Sequence, residues 1–549
     1  MTLLTARIAP FCVLLLALLS FGIGLAELPV QDRDEARFAQ ASRQMAETGD
    51  LVDIRLQDAP RHNKPALIYW AQTAAIWLTG ADGETPIWVH RLPSYLAGAL
   101  SALALVWAGT PIVGRRAAII AGIICATIYM LHAEARTAKT DAALVLSVIL
   151  AMGALARAWL DTTRTWLTPA IFWIALAAGF LLKGPMVALP ILGAITWIGV
   201  QFRTLRWLSR LRPLPGLLLF ATLAAPWFIA ITLATDGAFW GASLGGDFAN
   251  KITTEGEHSG SPPGLYLLTM WLTFFPWSLL IPLALMAAWH TRTEPKTALL
   301  LGWLIPGWII FEAVPVKLVH YTLPLYPALM LLAGVALVGI SDGTLRFRGW
   351  LAAVGTTFWL LALGFFAAVL IAAPIFYGNG PDTLSIIGGF VLVLTAVTGA
   401  VSLWQQQIPR AIAALALSGV AMGWTLTAAS LPAARDFWIA DRLADAMAHH
   451  TCLTGPVALA GFAEPSAVFR LGTDTILTDA EGALAYLTEA PNRAAWINPA
   501  LLPEALQEPA QGTPDLTQID GISIGNFRPV TLRLYISPGV PAPPAPCAP

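Results

Sequence analysis

Charged residues are scarce in this chain of 549 residues: 12% are Asp, Glu, Lys or Arg, whereas 57% are hydrophobic. A soluble protein carries about twice that share of charge. The mean hydropathy is +0.67 and there are 22 tryptophans. Repeated apolar runs of about 20 residues predict a mainly α-helical polytopic membrane protein. The net charge of −1 gives no reason to expect a nucleic-acid partner, so the placement of the charges has to identify partners.

Cysteine is almost as scarce, with four residues in the whole chain. No CxxC pair and no Cys/His cluster with the spacing of a metal site occurs, so the sequence predicts neither a metal site nor a cofactor. Cys12 and Cys125 lie in apolar runs and are predicted to be packing residues. Cys452 and Cys547 lie in the polar C-terminal region, where they could pair in an oxidising compartment.

Hydropathy predicts about 13 membrane spans. Their approximate limits are 8–29, 87–110, 115–133, 141–160, 166–182, 185–202, 213–233, 264–288, 297–313, 319–340, 350–375, 385–403 and 409–431. The apolar segment 65–80 is short for a span and is predicted to be an interfacial helix. The first run could be a cleaved secretory signal, but its length favours a retained span.

Lys and Arg residues between the spans predict the orientation in the membrane. One set of loops is rich in them and is predicted to be cytoplasmic: Arg7, Arg115, Arg116, Arg157, Arg164, Arg203, Arg206, Arg210, Arg212, Arg292, Lys296, Arg346, Arg348 and Arg410. The alternate loops are then outside the cytoplasm, as is the C-terminal region. Residues 1–431 form the predicted membrane domain, with 31–86 as its first outer loop. Residues 432–540, with strand-like "PVALAGF" and "TLRLYIS", form a predicted small α/β domain, and 541–549 form a Pro-rich tail.

The first outer loop carries an unusual density of charge. Thirteen charged side chains fall between positions 32 and 64, although this side should be poor in Lys and Arg. Smaller clusters on the same side are "EARTAKTD", "LLKGP", "EGEHSGSPPG" and "VPVKLVHY". Basic residues that oppose the orientation bias are explained by an anionic ligand at the outer surface, such as a phosphate bound by Arg and Lys.

Each of these residues also has a purely structural explanation. Asp34 and Glu35 could start an amphipathic helix, with a capping box from Asp32 to Glu35 and an apolar stripe of Phe38, Ala41 and Met45. Lys183 and Lys317 could be snorkelling residues, and Asp141 could be a helix cap. His258 and His320 could be structural. The occurrence of all of them on one side of the membrane favours a functional site.

The loop "RDEARFAQASRQMAETGDLVDIRLQDAPRHNKPALIYW" resembles the first outer loop of the bacterial lipid A aminoarabinose transferases, which are related to the protein O-mannosyltransferases among the C-type glycosyltransferases. The shared features are D-E-x-R-[YF]-A, then G-D, then K-P and YW. Farther on, "RTAKTDAAL", "LLKGPMVALP", "EHSGSPPGLYLLTMWLTFFPW" and "VKLVHYTLPLYPAL" resemble later motifs of that family. The resemblance covers residues 30–330.

The resemblance implies a C-type glycosyltransferase fold and an inverting transfer of a monosaccharide from a polyprenyl phosphate. It implies Asp34 as the principal catalytic carboxylate, with Glu35 and Asp141 as its partners. Donor-phosphate binding is then expected from Arg37, Arg61, Lys64, Lys183, Lys317 and Tyr321, and further substrate contacts from Tyr69, His258 and His320. The acceptor would be lipid A or a related envelope glycolipid, at the periplasmic face of the bacterial inner membrane.

One position departs from the family pattern. Asn63 stands where the aminoarabinose enzymes usually have the Glu that, with a loop His, can hold a metal ion. Without that carboxylate a stable zinc site is not expected. The departure bears on the sugar and the acceptor rather than on the reaction class.

Three other functions fit parts of the pattern. A transporter or flippase for a polyprenyl-linked sugar would suit many spans, but transporters usually carry charges at mid-membrane depth, whereas these collect at one surface. A protein O-glycosyltransferase would differ only in its acceptor. A binding module on a membrane anchor would not need Asp34, Lys64 and Lys183. We therefore expect a glycosyltransferase.

Overall fold

The computed structural model describes residues 3–80, 85–161, 165–248, 261–450, 453, 455–503 and 517–537. It is mainly helical, as predicted. The longer helices are Leu3–Gly22, Asp34–Thr48, Leu67–Thr79, Ile87–Val113, Arg115–Cys125, Asp141–Trp159, Leu167–Lys183, Ala188–Phe202, Pro213–Ala234, Leu265–Thr273, Ile281–His290, Pro295–Ala313, Tyr326–Ser341, Gly349–Tyr377, Thr383–Trp404, Ile408–Thr425, Ile439–Ala448 and Ala480–Glu489. The shorter ones include Tyr129–Glu134, Ala238–Trp240 and Pro465–Leu471.

Nine helical stretches among the described residues are long and apolar enough to cross a membrane. One of them, Leu167–Phe202, contains two of the predicted spans, which meet at the 3-10 turn Gly184–Val187. The remaining predicted spans 8–29, 115–133 and 264–288 correspond to shorter helical segments, among them Trp277–His290. The polytopic helical architecture is therefore confirmed, although several spans are shorter or more broken than hydropathy indicated.

Small residues allow the central helices to pack closely. A Cβ atom placed on Gly153 would lie 2.7 Å from the Cβ atom of Ala108 in the neighbouring helix, so glycine is required at this crossing. Close backbone approach of this kind replaces the hydrophobic effect as a source of helix association within lipid. The N-terminal helix belongs to the same core, because Ala17 and Phe21 are fully buried against it.

The first outer loop folds into two helices that pack on each other. Phe38 of helix Asp34–Thr48 contacts Tyr69 of helix Leu67–Thr79, with ring centroids 5.2 Å apart. The second helix matches the predicted interfacial segment 65–80. Trp77 and Leu78 at its end are exposed, as an interfacial helix requires. A two-residue hairpin, Arg55–Leu56 with Ala59–Pro60, joins the two helices.

The predicted small C-terminal α/β domain is present as a five-stranded mixed sheet. The strands lie in the order Ile476–Leu477, Val457–Ala460, Ala494–Ile497, Pro529–Ile536 and Gln518–Ile522. The first two pairings are parallel and the last two antiparallel. Two of these strands coincide with the strand-like stretches of the sequence. Cys452, Cys547 and the Pro-rich tail lie outside the described residues, so the pairing of the two cysteines stays a prediction.

Candidate active site

The helix Asp34–Thr48 carries two acidic residues, Asp34 and Glu35, in its first turn. Acidic side chains favour the first turn because they face the unpaired amide groups there. The predicted apolar stripe of Phe38, Ala41 and Met45 is buried, and Gly49 ends the helix in a left-handed conformation with φ of 73°. The apolar stripe therefore fixes the helix against the membrane domain while Asp34 stays at its open end.

The start of this helix differs from the predicted capping box. Arg33, with φ of 64°, is the N-cap residue, and no side chain caps the helix. Asp32 instead accepts a hydrogen bond from Ser466 of the C-terminal domain. Glu35 accepts one from the amide of Gln31, at 2.9 Å. Asp32 is thus held by a residue far away in the sequence, whereas Gln31 is held by its near neighbour Glu35.

A cavity of about 410 Å³ opens beside this helix start and brings together five stretches of the chain. Nine of the predicted site residues line it: Asp34, Glu35, Arg37, Arg61, Lys64, Asp141, Lys183, His320 and Tyr321. Gln31, Asp32, Arg33, Phe38, Asn63, Lys139, Thr140, Val316 and Leu318 complete the lining. The acids and bases that are distant in sequence therefore share one compartment, which we call the charged cavity.

Asp34 is the accessible carboxylate of the charged cavity. Its side chain is 53% exposed, and among the described residues it forms an ion pair with the Nη1 atom of Arg37, at 3.9 Å. At that distance the interaction is a loose ion pair rather than a hydrogen bond. Asp34 can therefore meet an incoming group without first breaking a strong contact.

Glu35 has a different environment, although it is the next residue. It is 1% exposed, and both of its oxygens accept hydrogen bonds at 2.8 Å from the fully buried Arg91. Arg91 also donates to the carbonyl groups of Leu25, Leu28 and Pro29. The amide of Ala138 donates to Glu35 as well, at 2.9 Å. Glu35 therefore fastens the first loop to the segment that carries Asp141.

Asp141 belongs to a network of buried charges on the opposite wall. Its Oδ1 atom lies 2.6 Å from the Nζ atom of Lys183 and 3.9 Å from Nε2 of His320. Nδ1 of His320 lies 3.8 Å from Oε1 of Glu134, which also accepts from Lys139 at 3.2 Å. Burial opposes the charge of Lys139, but the carboxylates of Glu134, Asp141 and Asp34 outweigh it and raise the pKa of Lys139. This wall thus keeps Lys139 protonated beside the open carboxylate.

Cations and aromatic rings line the remaining wall. The Nε atom of Arg61 donates to the hydroxyl of Tyr69 at 3.1 Å, and the guanidinium lies over the ring of Phe38. The Nζ atom of Lys183 lies 5.4 Å from the centroid of the Tyr321 ring. These contacts hold long basic side chains at the cavity surface, where they can approach an anion.

Two described residues among the predicted site residues do not line the charged cavity, and a third predicted residue lies outside the described part of the chain. The buried Lys317 donates to the carbonyl groups of Val314 and Ser261, both at 2.9 Å. Tyr69 is fully buried beneath the wall, where it supports Arg61. His258 lies outside the described residues. The substrate contacts expected of these three residues stay predictions.

An apolar groove of about 350 Å³ continues from the charged cavity. The two share Asn63, Lys64, Lys183 and Tyr321. The rest of the groove is mostly apolar, with Pro65, Phe180, Pro185, Met186, Leu189, Leu192, Phe228, Phe239, Trp240, Ile310 and Phe311 among its lining residues. Charged and apolar spaces therefore meet at two lysines and a tyrosine.

Sequence reasoning did not identify Arg91 or Arg33 as residues that shape this site. Arg91 could have been noticed, because an arginine inside an apolar span is costly unless a partner takes its charge. No feature of the sequence indicates that Glu35 is the partner of Arg91. Nothing in the sequence indicates that Arg33 has a positive φ angle.

Sequence comparisons relate the chain to polyprenyl-phosphate-dependent transferases. Residues 63–229 match the family model described as dolichyl-phosphate-mannose-protein mannosyltransferase. The chain is similar to the undecaprenyl phosphate-α-4-amino-4-deoxy-L-arabinose arabinosyl transferase of Pectobacterium carotovorum, with 28% identity over 380 residues, which are 65% of this chain and 64% of the relative. The enzyme of the same name from Aeromonas salmonicida is 30% identical over 343 residues, 61% of each chain. The aligned part thus spans somewhat less than two thirds of these relatives.

Fold comparisons extend the likeness to nearly the whole chain. The crystal structure of ArnT from Cupriavidus metallidurans bound to undecaprenyl phosphate superposes with a TM-score of 0.74 and 19% identity, over 97% of this chain and 98% of that one. Its apo state gives a TM-score of 0.69. The oligosaccharyltransferase of Archaeoglobus fulgidus shares the fold more distantly, with a TM-score of 0.51 and 12% identity over 87% and 64% of the two chains. The sequence matches and the fold agree: the chain is similar in sequence to these arabinosyl transferases and has the polytopic helical fold of the ArnT crystal structure.

Proposed function

We propose that this protein is an inverting glycosyltransferase that moves a monosaccharide from a polyprenyl phosphate to an envelope acceptor, with lipid A or a related glycolipid as the first candidate. The observation that carries the proposal is the junction of the charged cavity with the apolar groove. A polyprenyl phosphate sugar has a charged phosphate between a polar sugar and a long apolar chain, and the three parts need three adjoining environments.

The donor fits this junction in one orientation. Its phosphate would lie near Lys64, Lys183 and Tyr321, where the two spaces meet. Its polyprenyl chain would follow the apolar groove, and its sugar would lie in the charged cavity beside Asp34. Lys and Arg bind phosphate oxygens through charge-assisted hydrogen bonds, which are about twice as strong as neutral ones. Arg37 and Arg61 would add to the positive charge around the departing group.

The proposed reaction breaks the bond between the anomeric carbon and the phosphate oxygen and forms a bond from that carbon to an acceptor oxygen. The polyprenyl phosphate leaves with the bonding electron pair, and the cations stabilise the negative charge that it gains. Asp34 would accept the proton of a hydroxyl acceptor as general base. With a phosphate acceptor no proton is removed, and Asp34 would instead stabilise the positive charge that develops on the anomeric carbon.

A second cavity supports an acceptor that is itself a lipid. It has a volume of about 340 Å³ and shares Gln31 and Lys139 with the charged cavity. Apolar side chains form much of its lining, including Leu28, Tyr129, Leu426, Leu431, Phe437, Trp438 and Phe527. A glycolipid could therefore approach the charged cavity through this second cavity, past residues that do not line the apolar groove. The match of residues 63–229 to protein mannosyltransferases favours a protein acceptor as the second candidate.

We place the active site and the C-terminal domain, residues 432–540, on the periplasmic side of the bacterial inner membrane, above the membrane domain 1–431. The Lys- and Arg-rich loops support this orientation, since they follow the positive-inside pattern. The contacts of Asp32 with Ser466 and of Gln40 with Thr473 support a common side for the first loop and the C-terminal domain. Three of the residues assigned to substrate contacts, Lys317, Tyr69 and His258, keep that role only as part of this proposal.

Mass spectrometry of a deletion strain tests the function. Lipid A and envelope glycans are compared in the deletion strain, in the strain complemented with the natural chain, and in the strain complemented with Asp34→Asn. We expect one glycolipid to lose a monosaccharide mass on deletion, to regain it with the natural chain and not to regain it with Asp34→Asn. Unchanged glycans in the deletion strain would contradict the proposed reaction, and a lost protein modification instead would indicate the protein acceptor.

A further inference from the structure

Arg33, directly before Asp34, has a backbone conformation that side chains other than glycine rarely adopt. Its φ and ψ angles are 64° and −112°. Such a conformation persists only where the surroundings enforce it. The groups that enforce it act directly before helix Asp34–Thr48. We call this helix the catalytic helix, because Asp34 begins it.

The C-terminal domain supplies contacts at this point. Gly525, in the turn between strands Gln518–Ile522 and Pro529–Ile536, lies against the guanidinium of Arg33. A Cβ atom at Gly525 would lie 2.3 Å from Nε of Arg33, a distance at which one of the two groups must move. The colliding atoms are the end of the flexible Arg33 side chain, so Gly525 leaves room for the guanidinium rather than for the backbone of Arg33.

A second contact from the same domain holds Asp32. The hydroxyl of Ser466, a fully buried residue, donates a hydrogen bond to Oδ1 of Asp32. Ser466 belongs to the short helix Pro465–Leu471, which packs on the catalytic helix. Arg33 and Asp32 are thus both fixed by the C-terminal domain, from two different elements.

The surrounding contacts make this attachment rigid. Nη1 of Arg43 donates to the carbonyl of Phe469 at 2.6 Å, with its guanidinium 4.0 Å from the centre of the Phe469 ring. Gln40 donates to the hydroxyl of Thr473 at 2.8 Å, and Gln57 donates to the carbonyl of Thr475 at 2.6 Å. These hydrogen bonds connect the C-terminal domain with the middle of helix Asp34–Thr48 and with the hairpin that follows it.

We propose that the C-terminal sheet domain positions Asp34 by holding Asp32 and Arg33, with Ser466 and Gly525 as the positioning residues. The inference rests on the proposed function, because it states that this domain sets the orientation of the proposed catalytic carboxylate. A displacement of about 1 Å at a reacting group can lower a rate about a hundredfold. Through Ser466 and Gly525 the domain therefore acts on turnover by the angle at which Asp34 leaves the loop.

A double-mutant cycle between Gly525→Ala and Arg33→Ala tests this in the full-length protein, reconstituted in nanodiscs. The assay uses undecaprenyl phosphate-linked aminoarabinose and lipid A, with Asn526→Ala in the same exposed turn as the control. We expect Gly525→Ala to lower kcat about tenfold or more, with the donor KM and the thermal midpoint unchanged. In the Arg33→Ala background the same change should cost less than about twofold, since the colliding guanidinium is gone.

Equal losses in both backgrounds, or a loss no larger than that of Asn526→Ala, would overturn the positioning role. Ser466→Ala gives a second test if Gly525→Ala fails to fold, and it should lower kcat while leaving the donor KM unchanged. A rise in donor KM alone would also contradict the inference. Absence of transfer by the natural chain would refute aminoarabinose and lipid A as its substrates. An active natural chain with equal losses in both backgrounds would refute only the positioning role.

Discussion

At the scale of the residue, two neighbouring carboxylates have opposite environments. Asp34 is open to the charged cavity, whereas Glu35 is buried in an ion pair with Arg91. The sequence "DEAR" could not distinguish them, because spacing alone makes both the first turn of a helix. The identity of Asp34 as the candidate carboxylate came from a resemblance, and the burial of Glu35 required the position of Arg91 in space.

Lys64 gives the first prediction, because it lies where the charged cavity and the apolar groove meet. Lys64→Ala should raise the donor KM about tenfold to a hundredfold, since a hydrogen bond to a charged group contributes about 1.5–3 kcal/mol. The value of kcat should change much less. Steady-state kinetics in nanodiscs measures both constants. Lys296→Ala, at the opposite membrane surface, is the matched control, and an unchanged donor KM for Lys64→Ala would exclude it from phosphate binding.

Glu35→Gln gives a prediction on stability. The change removes the charge from a pair whose other member, Arg91, is fully buried. Removing one member of a buried pair destabilises a protein by about 3–5 kcal/mol, because the remaining charge loses its compensation. We expect a lower thermal midpoint for Glu35→Gln in detergent, measured by intrinsic tryptophan fluorescence. Asp34→Asn changes an exposed side chain and should leave the thermal midpoint unchanged. Equal midpoints for the two variants would show that the ion pair between Glu35 and Arg91 does not stabilise the fold.

At the scale of the element, hydropathy predicted the helices of the membrane domain better than their ends. Span 264–288 is divided into Leu265–Thr273 and Trp277–His290, and 115–133 into Arg115–Cys125 and Tyr129–Glu134. Averages over about 20 residues do not register such breaks. The short helix Pro465–Leu471 packs on helix Asp34–Thr48, and this docking depends on contacts that no periodicity encodes.

The docking of this short helix should depend on pH through Asp32. Burial raises the pKa of Asp32 from 3.8 to about 6, although the hydrogen bond from Ser466 acts in the opposite direction. A carboxyl group whose pKa is raised in the folded protein destabilises it at high pH, where burial opposes the charge. The penalty therefore disappears as the pH falls from above 6 towards 4.

The neutral variant Asp32→Asn tests this dependence, since it imitates the protonated group. At pH 7.5 its thermal midpoint should lie above that of the natural chain, and near pH 4.5 the two midpoints should converge. Thermal unfolding of the full-length protein across this range measures the difference. A difference that stays constant from pH 7.5 to 4.5 would contradict the raised pKa.

At the scale of the whole molecule, the sequence predicted a one-sided arrangement of charge. Positive-inside counting assigned the clusters around Asp34, Asp141, Lys183 and Tyr321 to one surface, and in the structure these residues line one cavity. The pairing within the cavity was not predictable. Lys183 contacts Asp141 at 2.6 Å, and no feature of either motif indicates that partner.

The orientation of the molecule can be tested with introduced cysteines. Asp58→Cys lies in the first outer loop and Arg410→Cys in a loop predicted to be cytoplasmic. In spheroplasts a membrane-impermeant maleimide should label Asp58→Cys and not Arg410→Cys, above the signal of the four natural cysteines. After lysis both should be labelled. The reverse pattern would place the charged cavity on the cytoplasmic side.

We propose above that the open carboxylate of Asp34 acts on a sugar whose phosphate is held by neighbouring cations. The most direct test of this proposal measures donor binding and sugar transfer separately for purified Asp34→Asn, with the exposed loop variant Asp58→Asn as the control. We expect Asp34→Asn to bind the undecaprenyl phosphate-linked sugar with an unchanged Kd. Its rate of sugar transfer should fall by about a thousandfold or more. Transfer by Asp34→Asn at the rate of Asp58→Asn would contradict the proposal.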